Sequence, residues 1–382
     1  MSEHPVICWN EADEQKSARW HSEKGLPPPT RIEVIDDRMS ADVAYHLACE
    51  GTAMLWRGDF QNAKLLLQAI ARRADKKRPK RKSKQVTITP AQAFHQHRLA
   101  QSQRARILDK LLIPFNADHS IPLRRAPDVS SACLEAYGPS GEAYIASLRE
   151  LLGLIGAHEW RKKGIEIKTL NARIHPHYGV FAPIRSEYIE LVAQTPFPKL
   201  IEMQSLAFDI GTGTGVLAAV LARRGIQRIV ATDQDPRALS CIRDNLTRLG
   251  LTNQVEVMNA DLFPPGQAAL IICNPPWIPA RPSSPLEQAI FDPDSRMLRG
   301  FLQGLRDHLL PGGEGWLILS DFAEHLGLRT REELLNAIDA AQLKVLGKSD
   351  VKPHHPRVAD TGDPLHAARA AELTSLWRLA AK

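Results

Sequence analysis

The sequence predicts an α/β protein whose C-terminal part, residues 165–382, is an open and mostly parallel sheet covered by helices on both faces. Three observations predict it. Short continuous apolar runs, 206–210 and 268–273 among them, have the composition of strands buried on both faces. Helical patterns separate these runs, an alternation that builds parallel sheets. Each run ends in glycine, aspartate or asparagine, so polar groups line one rim, where open sheets bind ligands.

Residues 1–164 read as a mostly α-helical accessory region. Helical periodicity covers 41–58, 60–73, 90–112 (opened by Thr89-Pro90) and 134–155. His95 and His97 lie two apart on one predicted helix and do not share a face, so they form no metal pair. A basic linker, 72–84, interrupts the region.

In the C-terminal part the strand 206–210 runs into Gly211-Thr212-Gly213-Thr214-Gly215 and a helix. Glycines let the backbone turn sharply, and the helix N-terminus offers free N–H groups, as in loops that hold nucleotide-like cofactors. The spacing is not the dinucleotide fingerprint, which needs its third glycine one place later. A second strand, 228–232, ends at Asp233, a carboxylate suited to both hydroxyls of a ribose; with Pro236 following, it reads equally as a helix cap. A third strand, 255–258, leads to Asp261 and Leu262, an acceptor for an adenine amino group and an apolar side chain for its ring.

The fourth strand, 268–273, delivers Asn274-Pro275-Pro276-Trp277. An asparagine oxygen accepts hydrogen bonds, and proline lacks an N–H but keeps its carbonyl. Asn274 Oδ1 and the Pro275 carbonyl are therefore suited to hold both hydrogens of one planar NH₂, turning the nitrogen lone pair out of conjugation, while Trp277 stacks behind. Asn-Pro is also an ordinary turn dipeptide. Downstream, the helix 294–310 stops at Pro311-Gly312-Gly313. The strand 315–320, the helix 331–341 and strands 343–347 and 373–379 complete a seven-stranded sheet. The connection 348–371 is either a surface loop or a lid that brings Arg357 to a substrate phosphate or carboxylate.

Over 165–382 these motifs resemble class I S-adenosylmethionine-dependent methyltransferases with an Asn-Pro-Pro-aromatic motif. The resemblance implies a Rossmann-like domain with S-adenosylmethionine as cofactor. It implies Asp209, Gly211, Thr212, Gly213, Thr214, Gly215, Asp233, Asp261, Leu262 and Asn274 as cofactor-binding residues, and Asn274, Pro275, Pro276 and Trp277 as catalytic ones. In this group Asn-Pro-Pro-Tyr is typical of enzymes acting on release-factor glutamine or on adenine, and Asn-Pro-Pro-Phe is frequent among ribosomal RNA enzymes, including those acting on guanine N2. Trp277 departs from both and leaves the acceptor open. Gly179-Val180-Phe181 is similar to the segment lying across the cofactor in the guanine-N2 enzymes. Pro183, Arg185 and Glu187 are similar, one place out of register, to the Pro-Arg-Pro-x-Thr-Glu element of the glutamine enzymes. Phe181 and Arg185 are thus expected, with Arg357, to contact substrate.

Composition sets the limits. The chain has 382 residues and 43% apolar content, enough for two or three packed domains. Five unpaired-looking cysteines suggest neither a disulfide framework nor zinc, and a reducing compartment. No run is long and apolar enough for a membrane span, and no signal pattern opens the chain, so a cytoplasmic protein is expected. The segment 72–84 holds nine lysines and arginines and one acid, while the whole chain is only +6. The basicity therefore belongs to one segment, either a solvated linker or an arm for nucleic-acid phosphates. The expected function is N-methylation of a planar amino or amide nitrogen in the translation apparatus, an RNA base or a protein glutamine. A small-molecule N-methyltransferase or a non-catalytic binding module are the alternatives.

Overall fold

The computed structural model describes residues 4–76, 88–282, 285–354 and 360–382. The chain forms two compact units, Met1–Ile88 with His95–Glu159, and Thr89–Phe94 with Trp160–Lys382.

The N-terminal unit is built on a sheet, not mostly on helices as the periodicity suggests. Its strands are β1 (Val6–Glu11), β2 (Glu14–Trp20), β3 (Ile32–Ile35), β4 (Ala53–Trp56), β5 (Leu111–Phe115) and β6 (Tyr144–Ser147), in the order β1-β2-β6-β5-β4-β3. Helices α1 (Ala41–Cys49), α2 (Phe60–Asp75), α3 (Pro90–Leu108), α4 (Ser130–Tyr137) and α5 (Leu148–Lys163) connect them. The expected helix 41–58 thus stops at Cys49, and its second half is β4. The span 90–112 likewise ends in β5, and 134–155 contains β6. Each of these strands is four or five residues long and buried at every position. A short run with no polar alternation has no period of its own, and beside a helix it reads as one more apolar turn. Arg72 and Arg73 close α2, where Arg73 pairs with Asp42. Residues 77–84 of the expected basic linker lie outside the described residues.

The C-terminal unit opens with a hairpin, β7 (Ile165–Ile167) and β8 (Ala172–Ile174). Its main sheet comprises β9 (Leu206–Ile210), β10 (Arg228–Asp233), β11 (Val255–Asn259), β12 (Ala268–Cys273), β13 (Leu309–Ser320), β14 (Leu343–Val351) and β15 (Thr374–Ala381). The order is β11-β10-β9-β12-β13-β15-β14, with the first five strands parallel and β15 antiparallel to both neighbours. Helices α6 (Glu187–Gln194), α7 (Leu200–Met203), α8 (Val216–Arg223), α9 (Pro236–Leu249), α10 (Arg296–His308), α11 (Phe322–His325), α12 (Arg331–Ala340) and α13 (His366–Ala371) complete the unit. One apolar core packs under α8 and α9 and another under α10 and α12, so β9 and β12 are buried from both sides. β13 begins at Leu309 and runs through Pro311-Gly312-Gly313, which the sequence suggested as a helix stop; the register against β12 shifts there. α13 fills much of the end of the expected long connection 348–371. Arg357 lies outside the described residues.

Candidate active site

Register places the predicted residues together. Ile210 pairs with Thr232 on one side and Cys273 on the other, and Asp233 pairs with Asn259. One residue beyond that row, Gly211, Asp233 and Asn274 stand side by side at the strand tips. This is the rim where a reversal of strand order leaves a crevice, because the chain leaves β9 toward β10 and later returns to β12 on its other side.

The glycine loop is built around a buried carboxylate. Asp209, 1% exposed, accepts from Thr212 Oγ1 at 2.6 Å and from the Ala218 backbone N–H at 3.1 Å. Burial pushes its carboxyl up to about 6, against the pull of the Thr212 hydroxyl. Asp209 thus fastens the loop to the first turn of α8. Gly215 caps α8 in the left-handed conformation (φ 80°), and a Cβ there would meet Ile242 Cγ1 at 2.5 Å. Gly213 (φ 55°) differs, since a Cβ on it would meet nothing within 4 Å. Its N–H donates to Asp233 Oδ2 at 3.0 Å. Met297, in the first turn of α10, lies directly on Gly211.

Asp233 accepts from Gly213 through one oxygen and from the Asp235 N–H, at 3.0 Å, through the other. Each oxygen keeps a lone pair for a further donor. Burial raises its carboxyl above the ordinary range. The helix cap that Asp233 also suggested is Asp235, whose Oδ1 accepts from Arg237 N. Asp261 is exposed and engaged by Arg296 at 2.5 Å. Leu262 has φ 77°, fixed by Thr232 Oγ1 donating to its carbonyl at 2.6 Å, and its side chain packs on Gly300 of α10.

Asn274 follows fully buried β12, and Pro275 is buried. The Trp277 indole N–H donates to Asn274 Oδ1 at 2.9 Å. The indole is half-buried and packs against both faces of the sheet and against a further apolar cluster of Phe94, Ile278, Phe322, Leu326 and Leu365. Arg185 stands 5.7 Å above the ring and is held bidentately by Glu372 at 2.8 and 3.2 Å. Arg185, expected to contact substrate, is thus engaged in an internal ion pair. A buried carboxylate needs that partner, and Glu372 is 2% exposed. Glu187 is also turned inward, accepting from the His354 N–H at 3.0 Å. Gly179 lies under Arg237 of α9, Val180 packs on Ala238 and Cys241, and Phe181 is half-buried beyond them, so this segment runs along the helix that follows Asp233.

Sequence reading missed Asp292, Arg296, Met297, Ser320 and Glu372. Asp292 accepts from the Met297 and Leu298 N–H groups and so caps α10 over the glycine loop. Asp-Pro-Asp-Ser before an apolar helix was a signal for it. Among the described residues no group of three metal-ligating side chains converges, and no helix is long and apolar enough to cross a membrane.

A seven-stranded sheet of this order, with a glycine loop after its first strand and acids at the next strand tips, defines the class I Rossmann-like domain. Residues 172–338 match the family model of the methyltransferase small domain. S-adenosylmethionine is the cofactor of the class. The residues fit it on two counts: the space over Gly213 admits a close ligand, and Asp233 keeps free lone pairs beside it. The chain is 37% identical over 78 residues to the ribosomal protein L11 methyltransferase of Pelotomaculum thermopropionicum, covering 20% of this chain and 25% of the relative. It is 31% identical to the release factor glutamine methyltransferase of Moorella thermoacetica over 40% of this chain and 55% of the relative. A putative protein N5-glutamine methyltransferase of Methanocaldococcus jannaschii is 26% identical over 47% of this chain and 88% of its own length. The chain spans between 25% and 45% of the length of four L11 methyltransferases it matches. Among solved structures, the L11 methylase of Lactobacillus delbrueckii subsp. bulgaricus aligns at TM-score 0.33 and 16% identity, covering 51% of this chain and 74% of the other.

Proposed function

We propose that this protein is an S-adenosylmethionine-dependent N-methyltransferase of the cytoplasm, acting on a planar amide or amino nitrogen in the translation apparatus, with a protein glutamine as the favoured acceptor. The reading rests above all on one observation: Asn274 and Pro275, with a side-chain and a carbonyl acceptor, follow β12 beside the glycine loop. The named glutamine and ribosomal-protein methyltransferases among the relatives favour a protein acceptor. A base amine in RNA is the second reading, favoured by the basic run 72–84 in the sequence.

S-adenosylmethionine, when bound, supplies an activated methyl group, so the chain needs to contribute position rather than a strong base. Asp233 accepts from ribose hydroxyls, and the Gly213 backbone lets the cofactor approach. Asn274 Oδ1 and the Pro275 carbonyl take the two N–H hydrogens of the acceptor, which turns its lone pair outward and stabilises positive charge as it grows on nitrogen. The surplus proton passes to water. Tritiated S-adenosylmethionine added with this protein to an extract of a strain lacking it tests the reading. Label released by protease and resistant to RNase is expected, label released by RNase selects the second reading, and no transferred label refutes both.

A further inference from the structure

The Asn-Pro-Pro clamp depends on a choice that an asparagine does not make by itself. Its amide has an oxygen and an NH₂ of nearly the same shape, and a half-turn about the last side-chain bond exchanges an acceptor for two donors. Only one orientation serves an incoming N–H. The indole N–H of Trp277 is a donor without acceptor capacity, and it meets Asn274 at Oδ1, 2.9 Å away. A carbonyl oxygen has two lone pairs, so this bond fixes the oxygen and leaves one pair for another donor.

What holds the indole is itself anchored. Arg185 sits over the ring, and Glu372 grips Arg185 with both oxygens. Glu372 Oε1 also accepts from Ser320 Oγ at 2.7 Å, and Ser320 is fully buried at the end of β13. A continuous chain of contacts thus runs Ser320, Glu372, Arg185, Trp277, Asn274, from the tip of β13 to the tip of its neighbour β12. Phenylalanine at 277 would keep the ring under Arg185 and supply no N–H.

We propose that Trp277 is a positioning residue that acts through Asn274, locking the amide oxygen toward the methyl acceptor, with Arg185 and Glu372 as the strap that keeps the indole in place. The proposal rests on the methyl-transfer reading and goes beyond it, because it gives the fourth residue of the motif a hydrogen-bonding task in addition to stacking.

The test is a double-mutant cycle of Trp277→Phe and Asn274→Ala, read as initial rates of tritium transfer from S-adenosylmethionine to an extract of a strain lacking the protein. At saturating extract Trp277→Phe is expected to slow transfer about fivefold, the size of one net hydrogen bond. The extract concentration giving half-maximal rate and the calorimetric Kd for S-adenosylmethionine are expected to hold. In the Asn274→Ala background the same change is expected to have no further effect. Independent, multiplying losses in the cycle would overturn the proposal, as would a wild-type rate in Trp277→Phe. Protein labelled with ¹⁵N-tryptophan gives a readout that does not need activity: the Trp277 indole proton is expected to exchange slowly and to lose that protection in Asn274→Ala. Equal exchange in both overturns the hydrogen bond. A protected indole proton in a protein that transfers no label refutes the methyl-transfer reading and, with it, any catalytic role for the lock.

Discussion

Two glycines in one loop separate cofactor binding from folding. Gly213 and Gly215 both have left-handed backbones, so alanine at either costs about 1–2 kcal/mol for the conformation alone. At Gly215 the new methyl also runs into Ile242 at 2.5 Å, and packing strain adds roughly 1–3 kcal/mol. At Gly213 it meets nothing within 4 Å, and the N–H to Asp233 survives the change. Gly215→Ala should therefore lower stability by roughly 2–5 kcal/mol, and Gly213→Ala by no more than about 2. In a unit of this size each kcal/mol moves Tm by roughly 2–4 °C. The order reverses for binding. A methyl on Gly213 projects into the space assigned to the cofactor, and a loss of at least about tenfold in S-adenosylmethionine affinity is expected, equivalent to about 1.4 kcal/mol. Thermal unfolding without ligand and calorimetric titration of the two variants check this. Wild-type affinity in Gly213→Ala would show that the open side of the loop is not where the cofactor lies.

Two more expectations follow from the same rim. Asn274→Ala removes an acceptor for the nitrogen that becomes charged, and should reduce the saturated rate roughly 10²-fold, about 3 kcal/mol; an unchanged rate refutes its role. Asp209 carries a pH signature. Its carboxyl is raised to about 6 in the fold from an ordinary 3.8, so the stability it contributes is fully present below about pH 4 and is lost as pH rises through 6. A displacement of about two pH units at about 1.4 kcal/mol each is ~3 kcal/mol. Asp209→Asn, able to keep the contact to Ala218, should flatten the fall in stability between pH 4 and 7 by that amount in denaturant unfolding; an identical slope refutes it.

The C-terminal unit was legible because its parallel strands are continuous apolar runs closed by Gly211, Asp233 or Asn274, a pattern with few other readings. The short strands β4, β5 and β6 were not, since they abut helices and share their hydrophobicity. The strand tips were also legible as a set, but their partners were not. Asp261 and Arg296 are 35 residues apart, and Arg185 and Glu372 are 187 apart. Charged side chains carry no local mark of a distant partner, so the pairing of Arg185 with Glu372 could not be read from the sequence.

The position of β15 has a consequence for how the protein is made. It lies between β13 and β14 although it follows both in sequence. While the chain is being synthesised, β13 offers an open hydrogen-bonding edge and β14 has no neighbour in the sheet, and neither is satisfied until β15 has left the ribosome. Glu372 emerges just ahead of that strand. The strap on Trp277 thus cannot form until Glu372, which follows every other strand of the sheet in sequence, has been made.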